Sequence, residues 1–185
     1  EDAYPADPED GYGWEKLFSE RMCTHFMEDY GIEVRIARYH SIYGPYGTYD
    51  GGREKAPAAL CRKVLNAKLN NHNKIQVWGD GKQTRTYCYI TDAIEGFLRV
   101  ICFGKSGDAY NIGNNKPVEL NQFIKEIELI LDKKSIKKIL PMQPGDVEET
   151  AADISKLNKA TGFVPSTSIE IGIPKFISWY RTFHN

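Results

Sequence analysis

A tyrosine and a lysine near the start of the chain have the types and spacing of an acid–base pair. Tyr12 and Lys16 stand four residues apart, so on a helix their side chains are neighbours on one face. A cation held close to a phenol favours its deprotonated form, and Tyr12 could then take and return a proton as a general base and acid. The same spacing also arises by chance, with Tyr12 packed and Lys16 solvated, so both interpretations stay open.

The residues around this pair predict the elements that would position it. A loop with two prolines leads into the pair, and Gly31 suits the C-cap of a helix that ends there. Between them, apolar residues recur at steps of mostly three and four, as in an amphipathic helix: Trp14, Leu17, Phe18, Met22 and Phe26. The β-branched residues 32–39 then predict a strand, as a β-α-β crossover requires.

The composition limits the class of protein. The 185 residues correspond to one ordinary domain or part of a larger protein. A hydrophobic fraction of 41% and a formal net charge of −1 are typical of a soluble globular chain. The 24 basic residues are mixed with 25 acidic ones, so nothing favours nucleic acid as a partner. No apolar run approaches the ~18–20 residues of a membrane span, and no signal peptide is predicted.

The cysteines and histidines predict neither disulfides nor a metal site. Cys23, Cys61, Cys88 and Cys102 are far apart and show no CxxC spacing. The four histidines also lack the spacing of metal ligands. We expect reduced thiols in a cytoplasmic protein that binds no metal.

Several segments resemble the extended short-chain dehydrogenase/reductase superfamily, whose nucleotide-sugar epimerases and dehydratases carry a Y-x-x-x-K pair. The matching segments are Tyr12 to Lys16, Arg38 to Pro45, Trp78 to Arg85 and Tyr110 to Gly113. This resemblance implies NAD as cofactor, bound in part by Tyr12, Lys16 and His40, and a nucleotide-sugar as substrate.

The fold that the resemblance implies is α/β. It comprises the C-terminal part of a Rossmann-type parallel sheet and a small mixed α/β substrate-binding domain. We expect residues 1–45 to end the NAD-binding domain. Residues 46–185 should form mostly the substrate domain, with some segments returning to the sheet.

A glycine-rich loop for the dinucleotide is not found in the sequence. Such a loop, G-x-G-x-x-G between a strand and a helix, binds the pyrophosphate of NAD. In the superfamily the tyrosine–lysine pair lies well downstream of that loop. We therefore expect this chain to be the C-terminal half of a larger enzyme, and to be inactive without the other half.

The segment after the first strand is a site candidate on geometry. Ligands of open α/β sheets bind outside the carboxyl ends of strands, and His40 to Pro45 follow such an end. The segment resembles the superfamily's R-x-x-N-x-Y-G-P, with Ser41 where the asparagine usually stands. The hydroxyl of Ser41 could still hydrogen-bond a substrate.

The run G-G-R-E-K-A-P-A-A at residues 51–59 is the most family-specific part of the chain. Its charges also fit a solvated helix start, with Pro57 in the first turn. The run resembles the GDP-mannose 3,5-epimerase family, which implies Lys55 as a second acid/base. The same resemblance implies Glu54 and Ala56 as sugar contacts and Lys63 near the diphosphate.

A strand, a turn and a second strand are predicted next. Residues 74–78 read as a strand, 79–82 as a tight hairpin turn and 83–90 as the partner strand. The run W-G-D-G-K-Q-T-R resembles a superfamily segment whose arginine binds the nucleotide diphosphate. Arg85 is therefore the phosphate candidate, since a guanidinium suits phosphate oxygens, with Gln83 and Thr84 beside the substrate.

The run Q-P-G-D-V at residues 143–147 points to a different nucleotide. It resembles UDP-glucuronate 4-epimerases, with Gln143 where the superfamily has an arginine, and it implies that Asp146 contacts the ribose. The two resemblances leave the choice between GDP and UDP open.

Two further helices are predicted from apolar periodicity. Thr91 and Asp92 are expected to start a helix packed through Phe97, Leu98 and Ile101. A second apolar stripe predicts a core helix: Leu120, Phe123, Ile124, Ile127, Ile130 and Leu131.

Three functions remain open at this point. The first is a GDP-mannose 3,5-epimerase-like enzyme that forms a transient 4-keto sugar with NAD and uses Lys55 as an acid. The second is a UDP-sugar 4-epimerase or nucleotide-sugar 4,6-dehydratase without Lys55 chemistry. The third is a non-catalytic nucleotide-sugar-binding piece. The superfamily also implies a homodimer, with the apolar residues of the Tyr12 helix as its interface.

Overall fold

The computed structural model describes residues 6–8, 10–51, 54–70, 73–142 and 146–184, without the side chain of residue 184. Helices in this part are α1 (Gly11–Tyr30), α2 (Ala56–Leu69), α3 (Ile90–Phe103), α4 (Leu120–Leu131), α5 (Ser155–Thr161) and α6 (Ile169–His184). Strands are β1 (Ile36–Tyr39), β2 (Ile42–Tyr43), β3 (Lys74–Trp78), β4 (Thr84–Arg85), β5 (Cys88–Tyr89), β6 (Ala109–Ile112), β7 (Val118–Glu119), β8 (Ile136–Leu140) and β9 (Glu149–Thr150).

The strands pair mostly in parallel. β1 pairs with β6, β2 with β5, β3 with β8 and β4 with β9, all parallel, while β4 and β7 are antiparallel. Parallel pairs need long crossover connections, which the helices supply. The predicted mixed α/β fold with a parallel component is confirmed, whereas the division at residue 45 stays a prediction.

Helix α1 begins and ends where the sequence predicts. The Asp10 carboxylate accepts a hydrogen bond from the Gly13 amide at 2.9 Å, and Gly31 adopts a left-handed φ of 66° at the C-cap. No side chain of α1 is buried, and its aromatic residues Phe18 and Phe26 are 64% and 48% exposed. The apolar residues of α1 are therefore an open surface in this chain.

The strand after α1 is shorter than predicted. It covers Ile36–Tyr39, because the preceding residues bond a loop and not a neighbouring strand. The amide of Val34 donates to the Ser106 hydroxyl at 3.1 Å, and Arg35 Nε donates to the Gly104 carbonyl at 2.6 Å. Residues 32–35 thus approach the loop before β6 without joining the ladder.

The predicted hairpin after β3 is wrong. β3 pairs with β8, in the register Lys74↔Ile136, and residues 83–90 divide into β4 and β5, which pair elsewhere. The Gln83 side chain closes the turn: its Nε2 donates to the Trp78 carbonyl at 2.7 Å, and its Oε1 accepts from the Gly81 amide at 2.9 Å. These two side-chain bonds close the turn, and β4, which follows it, pairs with β7 and β9 instead of β3.

Helix α3 faces the core with different residues from those predicted. Its buried residues are Ala93, Gly96 and Val100, whereas Phe97, Leu98 and Ile101 are 40–50% exposed. The predicted cap is also wrong, since α3 begins at Ile90 without a side-chain cap. The small side chains let α3 lie close to the sheet, and the large ones are left outside.

Two groups of buried side chains form the core. The larger joins α2, β3, α4 and α6, and includes Val64, Phe123 and Phe176. The smaller lies between β5, β6, α3 and α5, around Tyr110 and Leu157. The predicted stripe of α4 is confirmed as core except for Ile130, which is 36% exposed. None of the helices in the described part is long and apolar enough to cross a bilayer.

Candidate active site

A cavity of about 460 Å³ collects most of the residues singled out in the sequence. Seven of them line it: Ser41, Glu54, Lys55, Ala56, Gln83, Arg85 and Asp146. Pro57, Tyr87, Leu120 and Thr150 complete the lining. A volume of this size is in the range of small-molecule sites, and the lining combines cations, carboxylates and aromatic surface.

A second cavity of about 270 Å³ adjoins the first. Glu54, Ala56, Gln83, Leu120 and Asp146 line both, so the two volumes form one two-lobed cleft. The second lobe adds residues from α2 and β3, among them Lys63, Gln76 and Trp78. Lys63, expected near a diphosphate, therefore lies in the same cleft as Lys55 and Arg85.

Lys55 lies at the N-terminus of helix α2. It occupies the N-cap position, with an extended backbone and no side-chain cap bond. Its side chain is exposed and lines the larger lobe. Among the residues that the structure describes, its Nζ has no hydrogen-bond or ion-pair partner. The ammonium is therefore available to a ligand in the cleft.

Glu54 is held by an arginine of α2. The terminal nitrogen Nη2 of Arg62 lies 2.9 Å from Glu54 Oε1, and Arg62 Nε donates to the Tyr49 carbonyl at 2.8 Å. The Glu54 side chain is only 12% exposed and that of Arg62 only 21%. Arg62 thereby fixes the segment that carries Glu54 and Lys55 against α2, a role that the sequence did not indicate.

Lys63 is partly desolvated. Its Nζ donates to the Gln76 carbonyl at 3.1 Å. Burial lowers the pKa of Lys63, the nearby charge of Arg62 lowers it further, and Glu54 opposes both effects. The ammonium thus lies at the wall shared by α2 and β3, facing the smaller lobe.

Arg85 is closely bound by the protein itself. Its Nη2 donates to Asp146 Oδ1 at 2.6 Å and to the Val147 carbonyl at 2.5 Å. Its Nη1 donates to the Thr84 carbonyl at 2.7 Å and to the Glu148 carbonyl at 3.2 Å. The predicted phosphate candidate and the predicted ribose candidate are therefore an ion pair in this structure.

Gln83 and Thr84 are less open to a ligand than expected. Both polar atoms of the Gln83 amide are engaged in the turn after β3, although the residue lines both lobes. Thr84 lines neither lobe and pairs in β4 with Glu119 and Glu149. Gln83 thus shapes the cleft, and Thr84 contributes backbone pairing.

The structure does not bring the Tyr12–Lys16 pair or His40 to this cleft. Tyr12 is 64% exposed on α1, and Lys16 Nζ lies 5.1 Å from the centre of its ring and 3.2 Å from Glu15. The two side chains are neighbours, as the spacing predicts, with the cation over the ring. His40 follows directly after β1, and its amide donates to the Ile112 carbonyl at 2.9 Å.

Tyr87 is a site residue that the motifs did not single out. It lines the larger lobe, and its buried hydroxyl has no hydrogen-bond partner within the described residues. Burial raises the pKa of Tyr87 to about 12, with a smaller opposing effect of Arg85 and a reinforcing one of Asp146. Alternation along an extended segment places Arg85 and Tyr87 on the same side, and that signal could have revealed it.

The cysteines give no further chemistry. Cys61, near the cleft in sequence, is fully buried, and burial raises the pKa of its thiol well above the usual range. All four cysteines are free, and the described residues contain no cluster of His, Cys, Asp and Glu that could hold a metal ion. The prediction for Gln143 lies outside the described residues, as do Gly52 and Arg53 of the run at residues 51–59.

The described residues combine a mixed α/β fold, a cleft lined by cations and a helix that carries a tyrosine–lysine pair. Residues 1–113 match the model of the NAD dependent epimerase/dehydratase family, and the chain belongs to this family. GDP-mannose 3,5-epimerase of Arabidopsis thaliana is 38% identical over 182 residues, which cover 97% of this chain and 46% of that protein.

Solved structures of the same class superimpose closely. The UDP-glucose 4-epimerase of Thermotoga maritima matches with a TM-score of 0.86 and 25% identity, over 94% of this chain and 54% of that one. The UDP-glucuronic acid 4-epimerase of Bacillus cereus, in complex with UDP-glucuronic acid and NAD, matches at 0.85 and 27% identity, over 99% and 56%. The chain spans about half the length of these relatives.

Proposed function

We propose that the chain is the substrate-binding half of an NAD-dependent nucleotide-sugar epimerase of the GDP-mannose 3,5-epimerase type. The observation that carries this proposal is the two-lobed cleft, whose larger lobe is lined by Lys55, Arg85 and Glu54 and whose smaller lobe is lined by Lys63 and Glu54. Arg85 and Lys63 suit a diphosphate, and the Lys55 ammonium, which has no partner among the described residues, suits proton transfer to a sugar carbon. The similarity to the Arabidopsis enzyme supports the same reaction.

In this proposal different residues of the cleft contact different parts of the substrate. Arg85 and Lys63 receive the diphosphate, and Asp146 lies beside the ribose. Ser41, Glu54 and Ala56 contact the sugar, and Gln83 forms the wall behind it, next to Thr84 in strand β4. Lys55 donates a proton to the carbon next to the C4 ketone, on the face opposite a base that removes one and that the family resemblance places upstream of the residues of this chain.

The cofactor side of the site rests on α1. NAD, when bound, accepts a hydride from C4 of the sugar and returns it. Tyr12 takes the proton of the C4 hydroxyl, while Lys16 binds the nicotinamide ribose together with His40. The exposed Tyr12–Lys16 pair fits this part of an NAD site, and the sequence holds no glycine-rich loop for the pyrophosphate.

A UDP-sugar 4-epimerase is the second candidate. The Q-P-G-D-V run and the similarity to UDP-glucuronic acid 4-epimerase favour it. A 4-epimerase returns the hydride to the other face of the ketone and needs no proton from Lys55. The two candidates therefore differ in whether a carbon-bound hydrogen exchanges with solvent.

The deciding experiment uses the complete protein that the gene encodes, with NAD in D2O. GDP-mannose and UDP-glucuronate are incubated separately and analysed by mass spectrometry for deuterium. Wild type is compared with Lys55→Ala and with a matched control, Lys159→Ala, which removes an exposed lysine of α5.

Deuterium gained by GDP-mannose in wild type and Lys159→Ala, and lost in Lys55→Ala, is the expected result. Conversion of UDP-glucuronate without deuterium uptake and without dependence on Lys55 would refute the 3,5-epimerase assignment and support the 4-epimerase. Binding of nucleotide-sugars without conversion of either would identify a non-catalytic binding protein.

We further propose that the protein is a cytoplasmic homodimer. The exposed apolar residues of α1, including Phe18 and Phe26, support an interface between two copies, and the free thiols support a reducing compartment. Sedimentation of the wild-type protein and of Phe18→Glu tests the first point, with a monomeric variant as the expected result. A wild-type monomer contradicts it.

A further inference from the structure

The guanidinium of Arg85 already has an anion bound to it. Its two terminal nitrogens carry four N–H groups, and the four contacts to Asp146, Val147, Thr84 and Glu148 occupy them. The Arg85 side chain is only 14% exposed, whereas that of Asp146 is 39% exposed. A diphosphate in the cleft therefore meets an arginine whose terminal donors are taken.

Carboxylate and phosphate are interchangeable partners for a guanidinium, since both offer oxygen pairs at similar spacing. They also repel each other when both are ionised at short range. We propose that Asp146 occupies the anion position of Arg85 while the cleft is empty, and that the substrate diphosphate binds by displacing the Asp146 side chain. This inference rests on the proposed function, because it assumes that Arg85 receives the diphosphate.

The contacts indicate which partner of Arg85 gives way. Three of the four acceptors are backbone carbonyls, and those of Thr84 and Glu148 belong to paired segments, since the Thr84 amide donates to the Glu148 carbonyl at 2.9 Å and Thr84 is in register with Glu149. Asp146 precedes that ladder and lines both lobes of the cleft. Its Oδ1 also accepts from the Val147 amide at 3.1 Å, a bond that it can keep when it leaves Arg85.

This arrangement makes Asp146 a competitor of the ligand. A protein whose binding-competent state is only partly populated binds its ligand more weakly by that fraction. Replacing the carboxylate by a neutral amide of the same shape should therefore strengthen diphosphate binding. A ribose contact by Asp146 would affect only UDP and GDP, so pyrophosphate, which has no ribose, reports the displacement alone.

The test is isothermal titration of the chain with inorganic pyrophosphate, UDP and GDP. Asp146→Asn should bind pyrophosphate more tightly than wild type, on the order of 5- to 150-fold, the usual range of coupling between two binding events. The gain should vanish in an Arg85→Gln background. Arg85→Lys serves as a second background if Arg85→Gln does not fold, since it keeps the charge without the paired donors.

Glu148→Gln is the matched control. It removes one negative charge from the same segment, and Glu148 is exposed and bonds Arg85 through its backbone only. Its effect on pyrophosphate binding should stay below about threefold, as for exposed charges. An equal gain in Glu148→Gln and Asp146→Asn would indicate a general field effect and overturn the proposal.

The remaining outcomes separate this inference from the proposed function. Weaker or unchanged pyrophosphate binding by Asp146→Asn overturns the inference, even when wild type binds nucleotide-sugars. Tighter, Arg85-dependent pyrophosphate binding supports it, even when neither GDP-mannose nor UDP-glucuronate is bound or converted, a result that would reject only the proposed function.

Discussion

Gly172 offers a substitution whose expected sign is opposite to that of helix propensity. The residue lies inside α6 and is buried. A Cβ at this position would lie 2.1 Å from the Tyr43 hydroxyl, and ordinary contact begins at 3.4 Å, so the hydroxyl would have to move by about 1.3 Å. Tyr43 cannot move easily, because its ring packs against Tyr87, Tyr89 and Phe123 at 5.6–6.4 Å between centroids.

The magnitude follows from two opposing terms. Alanine is about 1 kcal/mol better than glycine inside a helix, so Gly172→Ala would stabilise an unobstructed helix. Overpacking a core costs about 1–3 kcal/mol, and so short an approach puts this site near the upper end. We expect a net loss of about 2 kcal/mol in the free energy of unfolding, or a midpoint lowered by roughly 4–8 °C in a chain of this size.

A second substitution identifies the cause. The Tyr43 hydroxyl is buried without a hydrogen-bond partner among the described residues, so Tyr43→Phe should cost little. In that background the penalty of Gly172→Ala should fall without vanishing, because the Cβ would still lie 2.9 Å from Tyr43 Cζ and 2.9 Å from Tyr89 Cδ2, and residues in contact couple by about 0.5–3 kcal/mol. Urea denaturation of the four proteins measures the cycle. Equal penalties in both backgrounds, or a more stable Gly172→Ala, would refute the reasoning.

Three further predictions concern stability. Arg62→Met should lower the free energy of unfolding by about 1–3 kcal/mol, because Glu54 loses a charged hydrogen-bond partner; a loss no greater than that of an exposed arginine contradicts this. Asp153 accepts a hydrogen bond from the Ser155 amide at 2.9 Å, and bonds from that residue hold the pKa of its carboxyl below the usual value. That stabilisation is present above the unfolded pKa and is lost as pH falls through the folded pKa, so Asp153→Asn should be less stable than wild type at pH 7 and the difference should shrink as the pH falls through the folded pKa; a pH-independent difference in urea midpoints contradicts it. Leu98→Gln should change the free energy of unfolding of this chain by less than about 0.5 kcal/mol, since Leu98 is half exposed, and a loss above 1 kcal/mol would show that it is packed.

Local elements could be predicted from the sequence because their signals are local. The stripe of α4, the alternation of β3 and the glycine after α1 each involve residues within a few turns of one another. The pairing of β3 could not be predicted, since its partner β8 lies more than 50 residues away, while the glycines after Trp78 have the spacing of a hairpin turn. The turn is closed by hydrogen bonds of the Gln83 side chain to the Gly81 amide and the Trp78 carbonyl. Side-chain hydrogen bonds of this kind leave no periodic pattern in the sequence.

The face of α3 was mispredicted for a related reason. Apolar periodicity identifies a face that needs cover, and Phe97, Leu98 and Ile101 form one. In the described part of the chain, the buried face of α3 is instead the one that carries Ala93 and Gly96. Their small side chains allow the helix to approach the strands closely. A hydrophobic pattern therefore indicates that a face is apolar without indicating which neighbour covers it.

The predictions for the candidate site also separate into residues that the fold brings together and residues that it does not. Ser41, Lys55 and Arg85 came from separate motifs, and folding brings them to one cavity, because buried strands and helices of the larger core fix the segments that carry them. Tyr12 and Lys16 lie on a helix with no buried side chain. The Glu20–Arg38 ion pair at 2.6 Å connects that helix to β1, and neither Tyr12 nor Lys16 lines the cleft. The fold of this chain therefore supports the substrate side of the proposed chemistry, whereas the described residues leave the Tyr12 phenol outside the cleft.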